Sequence, residues 1–223
     1  MKRYVLAALG LLAATQAGAQ EALLSSDAQK SSYAIGLTTA QSIARQGVQL
    51  EFDAFMLGVK DALEGTKPRL TQEQFQAALD NASKSVDSRF KEQAQNNLKA
   101  GREFMAKNKS QEGVTELSNG IQYKELRKGA GGHPKATDNV TVHYTGSLID
   151  GTEFDSSKSR GQPVTLGLGS VIRGWQEVLP LMTVGSRWQV VIPPSLAYGA
   201  KGAGPIGPNE TLVFEIELLD IAK

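Results

Sequence analysis

From Thr71 to Ser110 the chain carries no proline and one glycine, Gly101. Phe75, Leu79, Ala82, Val86, Phe90, Ala94 and Leu98 recur at three- and four-residue steps, the spacing of one helical face. Thr71 with Gln74, shortly after Pro68, has the pattern of a capping box and marks the start. A helix of roughly 40 residues spans about 60 Å at about 1.5 Å per residue, far more than a small domain needs. Its apolar stripe is narrow and its other faces are Gln, Asn, Lys, Arg and Glu, so it cannot be wholly buried in a monomeric core. The element must link parts of a larger arrangement.

Two shorter helices precede it. Ser26 with Gln29 is a second capping box, Tyr33, Leu37, Ala40 and Ala44 share a stripe, and Gly47 offers a stop. Phe52, Phe55, Met56, Val59 and Leu63 then recur before Gly65, although Gly58 costs about 1 kcal/mol relative to alanine in a helix interior. Helices this short cannot hide their apolar faces without a partner. Either the three helices form a compact bundle within one chain, or they pair with a second copy as a homodimer.

Residues 1–19, MKRYVLAALGLLAATQAGA, combine two basic residues, a short apolar run and small residues at Ala17 and Ala19. They read as a cleavable secretory signal, with a mature start at Gln20. No stretch reaches the 18 or so apolar residues of a transmembrane helix. Without Lys2 and Arg3, the 24 basic residues become 22 against 23 acidic ones, a formal charge of −1. No global basic field attracts nucleic acid or an anionic membrane. The absence of cysteine removes disulfides, thiolate metal sites and the acylated cysteine of a lipoprotein.

A composition shift falls near Gly113, since 16 of 23 glycines and 7 of 8 prolines lie at or beyond it. Periodicity there changes to two. Ile121 and Tyr123; Val140, Val142 and Tyr144; Trp188, Val190 and Ile192; and Leu212, Phe214, Ile216 and Leu218 mark faces of four half-buried antiparallel strands. Asp150-Gly151 reads as a tight turn, and WQEVLPLM after Gly174 is the one helical candidate. A sheet wrapping a short helix is an α+β architecture. His143 and His133 meet no obvious serine or carboxylate, and two isolated histidines make no structural zinc site. GAGG at 129–132 lacks the context of a phosphate loop and reads as a connector. Taken singly, Tyr144, Phe214 and Trp175 read as core residues. No metal or cofactor is predicted.

The segments VHYTGSLIDGTEFDSS, VIRGW, AYG and TLVFEIELLDI, in this order and spacing, resemble the FKBP-type peptidyl-prolyl cis-trans isomerases over about 105 residues. SYAIG, a second helix ending DALEG, the long polar helix and the loop GPIGPNETL resemble the macrophage infectivity potentiator (Mip) group. The resemblance implies four segments: a signal peptide at 1–19, a helical dimerisation region at 20–70, a long connecting helix at 71–112 and an isomerase domain at 113–223. It also implies a five-stranded antiparallel sheet curled around a short helix, with a proline site between them. Trp175 would form the floor, and Tyr144, Phe154, Val164, Leu166, Val171, Ile172 and Phe214 the walls. Asp155 and Tyr198 would supply polar edges, the Tyr198 hydroxyl and the Ile172 N–H would donate to peptide carbonyls, and Ile206 would come from a loop over the site. Implied partners are proline-containing unfolded or nascent exported polypeptides, a second copy of the chain, and the family's macrolide inhibitors. Val164 and Leu166 replace larger rings, which predicts a wider and less selective pocket.

Elementary chemistry fits such a pocket. Amide resonance sets a barrier of about 18–20 kcal/mol to rotation, and X-Pro bonds populate both isomers but exchange over tens to hundreds of seconds. The twisted transition state carries less separated charge than the planar amide. A dry apolar cavity therefore favours the twisted form, provided remote contacts hold the peptide. No proton transfer is needed, so the rate should be nearly flat between about pH 6 and 9. The resemblance further implies a periplasmic or outer-membrane-associated folding helper with chaperone-like action. The competing reading is a proline-peptide-binding assembly module with weak isomerase activity.

Overall fold

The computed structural model describes residues 24–222, so the segment read as a secretory signal lies outside the described residues. The chain divides into two units, and the division falls inside the long helix, between Asp87 and Ser88.

The first unit holds α1 (Asp27–Arg45), α2 (Phe52–Glu64) and the beginning of α3 (Gln72–Lys109). Both capping boxes form. Ser26 N–H donates to Gln29 Oε1 at 2.9 Å while Gln29 N–H donates to Ser26 Oγ at 3.2 Å, and Thr71 and Gln74 make the same reciprocal pair at 3.0 and 3.3 Å. Each box satisfies donors that a helix start leaves orphaned. Gly65 ends α2 in the left-handed region, with φ +66°, where a side chain would be strained. Arg69 grips Asp61 with two bonds, 2.7 and 3.1 Å, and fixes the turn into α3. No residue of α1 or α2 is buried. Phe52 is 72 % exposed and Leu63 84 %. The compact bundle with its own core is therefore not formed.

The second unit is an antiparallel sheet of seven strands: β1 (Val114–Glu116), β2 (Gln122–Arg127), β3 (Asn139–Leu148), β4 (Glu153–Ser156), β5 (Val164–Gly167), β6 (Arg187–Ile192) and β7 (Leu212–Ala222). Their order is β1-β2-β6-β7-β3-β4, with β5 also paired to β3. The four strands read from alternation are β2, β3, β6 and β7. The other three have only three or four residues, too few to show a period. The resemblance implied five strands, and β1 and the separately paired β5 enlarge that count. Val140, Val142, Val190, Ile192, Leu212, Ile216 and Leu218 are buried on the concave side with Trp175 and Val178 of the short helix α4 (Arg173–Val178). Gly174 lets that helix sit close, because a Cβ there would lie 2.5 Å from Ile192 Cγ2.

The second unit begins before Gly113 because the later turns of α3 pack onto the sheet domain. A Cβ on Gly101 would meet Thr211 Oγ1 at 2.3 Å, so this mid-helix glycine serves close approach, not helix termination. Farther along, Asn108 Nδ2 donates to Gln122 Oε1 at 2.8 Å, and Gln122 Nε2 donates to Met105 O at 2.9 Å and Glu116 Oε2 at 2.8 Å. Asn108 and Gln122 are both buried, and this mutual satisfaction is what makes burial of their amides affordable. Trp188 is core, stacked on Tyr123 with ring centroids 4.3 Å apart.

Candidate functional site

On the concave side of the sheet, beside α4, lies a hollow of about 260 Å³ lined by Tyr144, Phe154, Asp155, Leu166, Ser170, Val171, Ile172, Trp175, Tyr198 and Phe214. Strand alternation and one glycine of close approach build it. Tyr144 is on β3, Phe154 and Asp155 on β4, Leu166 on β5 and Phe214 on β7. Gly146 faces the rings: a Cβ there would lie 2.7 Å from Phe154 Cε2 and Cζ and 2.8 Å from Phe214 Cε1.

Four rings form a chain of edge-to-face contacts. Tyr144 meets Trp175 at 5.2 Å and 88°, Trp175 meets Phe214 at 5.3 Å and 80°, and Phe214 meets Phe154 at 5.7 Å and 85°. Each such pair adds about 0.5–1.5 kcal/mol beyond area burial and fixes ring orientation. Trp175, at the start of α4 and 4 % exposed, shares the middle of this chain with Phe214, and its buried indole N–H has no partner among the described residues. Tyr198 is 39 % exposed, and its hydroxyl bonds to no group among the described residues. Ile172 stands at the N-cap of α4, and its N–H joins none of the described backbone hydrogen bonds outside regular elements. Among the described residues, three donors are thus unused around a hollow whose walls are mostly apolar.

The polar edge is a network. Tyr144 hydroxyl donates to Asp155 Oδ2, Arg160 Nη1 pairs with Asp155 Oδ1, and Arg160 Nη2 donates to Tyr144 Oη at 3.1 Å. Arg160 also lies over the Tyr144 ring, 5.8 Å from its centroid. Burial pushes the Tyr144 phenol above its usual value, and the bond to Asp155 adds to that. Burial also pushes Asp155 up, but the bonds from Tyr144 and Arg160 outweigh it and hold the carboxyl below the usual range. Tyr144 therefore stays a phenol and Asp155 a carboxylate at neutral pH.

Nine of the eleven residues named from sequence line this hollow, and Val164 and Ile206 do not. Val164 pairs with Val142 in the β3–β5 ladder, and its short side chain leaves that wall to Leu166 and Ser170. Ile206, 6 % exposed, packs into the core beneath its loop, with its N–H and carbonyl both bonded to Ala203 at 2.9 Å. Ser170 and Arg160 carried no sequence signal, since neither interrupts a period nor belongs to a motif. His143 is a correction: its Nδ1 lies 3.0 Å from Ser157 Oγ, so it does meet a serine. That hydroxyl is buried and also accepts from Tyr144 N–H at 2.8 Å, which makes it a backbone tie and not an exposed nucleophile. Among the described residues no group of three or more metal-ligating side chains occurs, and no helix is long and apolar enough to cross a membrane. Among the described residues, a larger hollow is lined within residues 54–75 and another lies between α3 and Pro193-Pro194, and neither gathers rings with unused donors.

Comparison with known proteins agrees with this geometry. Residues 131–219 match the model of the FKBP-type peptidyl-prolyl cis-trans isomerases, and residues 28–124 that of the domain amino terminal to them. The chain is 41 % identical to the peptidyl-prolyl cis-trans isomerase Mip of Coxiella burnetii, with 100 % of both chains covered. It is 40 % identical to the outer membrane protein MIP of Legionella longbeachae, over 100 % of this chain and 98 % of that one. Among solved structures, FkpA from Escherichia coli superposes with a TM-score of 0.66 at 36 % identity, covering 88 % of this chain and 97 % of that one. An isomerase from Pseudomonas syringae gives 0.55 at 46 % identity, covering 58 % and 96 %. With both family models matched in sequence order and Mip relatives aligned end to end, the chain belongs to the FKBP-type peptidyl-prolyl cis-trans isomerases, in their Mip group.

Proposed function

We propose that the hollow over Trp175 is where the X-Pro bond turns, and that the protein does this for exported polypeptides as a homodimer with chaperone-like action. The observation that carries the reading is the four-ring chain closing one side of a small, mostly apolar space, with the unpartnered Tyr198 hydroxyl at its edge. The proline ring packs on Trp175 against Tyr144, Phe154 and Phe214, with Val171 and Leu166 beside it. Ile172 N–H and Tyr198 hydroxyl hold flanking carbonyls. The space excludes water from the amide, and loss of solvation costs the charge-separated planar form more than the twisted one. Asp155 works through Tyr144, locking that ring with Arg160. Val164 and Ile206 serve the site from behind its wall and from its overlying loop.

Dimerisation rests on the first unit. Tyr33, Ile35, Leu37, Phe52, Met56 and Leu63 are exposed large apolar residues on helices with no buried residue. Such a surface on a monomer marks an interaction site, and a second copy covers it. Two isomerase units in one assembly bind a client at two points and raise its effective concentration. The segment 1–19 directs the chain to the periplasm. A test of the site is the relaxation of an Ala-Pro peptide: Trp175→Leu removes the floor and Tyr198→Phe one donor, and both should slow it. Binding without acceleration by the unmodified chain would refute the reading.

A further inference from the structure

The later turns of α3 do more than join segments, because they grip the loop that carries Tyr198. That loop runs from Gly199 to Glu210 and folds back on itself: Asn209 N–H donates to Gly199 O at 2.8 Å, and Ala203 and Ile206 exchange two bonds of 2.9 Å. Its return end lies on the helix. Asn97 uses both amide protons there, donating to Pro208 O at 2.8 Å and to Glu210 Oε1 at 2.8 Å. Asn209 Nδ2 adds a longer bond of 3.4 Å to Ala94 O. A Cβ on Gly207 would lie 3.0 Å from Gln93 Nε2 and 3.4 Å from Asn97 Nδ2, so the loop rests on this helical turn with no side chain between. Asn209 has φ +55°, the one non-glycine left-handed residue among those described. That strain persists only where surrounding bonds hold it.

Tyr198 itself has no hydroxyl anchor among the described residues, so its position over the hollow is set by the backbone on which it sits. The next residue, Gly199, is tied through Asn209 to the segment that Asn97 holds. We infer that Asn97 is a positioning residue for the isomerase reaction: through the 208–210 segment it holds the Tyr198 hydroxyl where a peptide carbonyl meets it. This inference rests on the site reading above. The amide suits the task because its two N–H donors sit in a fixed fork and carry no charge, and Asn has fewer torsions to lose than Gln.

The experiment is a double-mutant cycle with Asn97→Ala, Tyr198→Phe and both together, on the full chain with an Ala-Pro peptide. Asn97→Ala should raise KM about tenfold and change kcat little, the pattern of a lost holding contact, with circular dichroism unchanged. In the Tyr198→Phe background the same substitution should add little. Asn209→Gly, which keeps the left-handed turn and its backbone bond but drops the side-chain link, should show the same pattern with a smaller rise. Unchanged kinetics in Asn97→Ala, while Tyr198→Phe is impaired, would overturn the inference and leave the site reading intact. An equal loss from Asn97→Ala with and without the Tyr198 hydroxyl would overturn it too, by showing a route that bypasses that group. If Tyr198→Phe itself has no effect, the site reading fails first and the inference with it.

Discussion

Replacing Gly146 with alanine tests whether the ring cluster is tuned as tightly as its geometry says. Carbon atoms in good contact sit about 3.5–4.0 Å apart, whereas the new methyl would lie 2.7 Å from two atoms of Phe154 and 2.8 Å from Phe214 Cε1. The rings must retreat by roughly 0.8–1 Å to restore ordinary contact. Phe214 is 4 % exposed and wedged against Trp175, so it has nowhere to go. Phe154 is half-buried and yields instead, into the hollow or out of its wall. Overpacking of this kind costs about 1–3 kcal/mol, and one yielding ring places the value near the lower end. A displacement of about 1 Å in a positioning wall costs up to about a hundredfold in rate. Urea unfolding with Ala-Pro relaxation on the same samples reads both. The control is Gly132→Ala, where nothing lies within 4 Å of the added methyl. A Gly146→Ala protein with the activity of the control would mean that Phe154 and Phe214 do not shape the reaction.

Four further outcomes follow from other parts of the molecule. Asn108→Leu leaves Gln122 Oε1 buried without its donor and should destabilise the second unit by about 1–3 kcal/mol, read by urea unfolding. Unchanged stability would mean water replaces the amide. Activity should stay flat between about pH 6 and 9, since Tyr144 is shifted up and Asp155 down, both away from that window; a bell-shaped profile would contradict catalysis without proton transfer. Below it, Asp155 adds stability above its unfolded value of about 3.9 and loses it as pH falls through its lowered folded value. Glu210, raised by burial and then by Asp150, runs oppositely: its contribution is present at low pH and fades as pH rises through its folded value. Finally, Leu63→Glu puts a charge on an exposed apolar face and should shift sedimentation from dimer to monomer while sparing the rate on short peptides; an unchanged mass would place the interface elsewhere.

Local chemistry was the most legible part of the sequence. The two capping boxes at Ser26 and Thr71 and the stop at Gly47 need only neighbours within a few residues, and all three form as read. Alternation located β2, β3, β6 and β7 for the same reason. What escaped depends on distant partners. Nothing in the sequence says why Gly101 sits within a long helix until Thr211 approaches it, and Asn97 and Asn108 look like solvated helix amides until the sheet domain supplies their acceptors. The composition shift at Gly113 marks where turns and strands begin, whereas the second unit also takes in helix from Ser88 onward. At the site, singly ambiguous aromatics acquired a common purpose only through motif order. Arg160 stayed hidden because an arginine in a polar loop signals nothing until it stands over Tyr144.

The proposed mechanism lowers the barrier to turning an X-Pro bond with a dry hollow and no acid or base. Its most direct test is the solvent deuterium isotope effect on catalysed relaxation of an Ala-Pro peptide, measured for the full chain and for Trp175→Leu. A ratio close to unity, with acceleration largely lost in Trp175→Leu, is the predicted result. A clear slowing in deuterium oxide, or full acceleration without the indole, would contradict it.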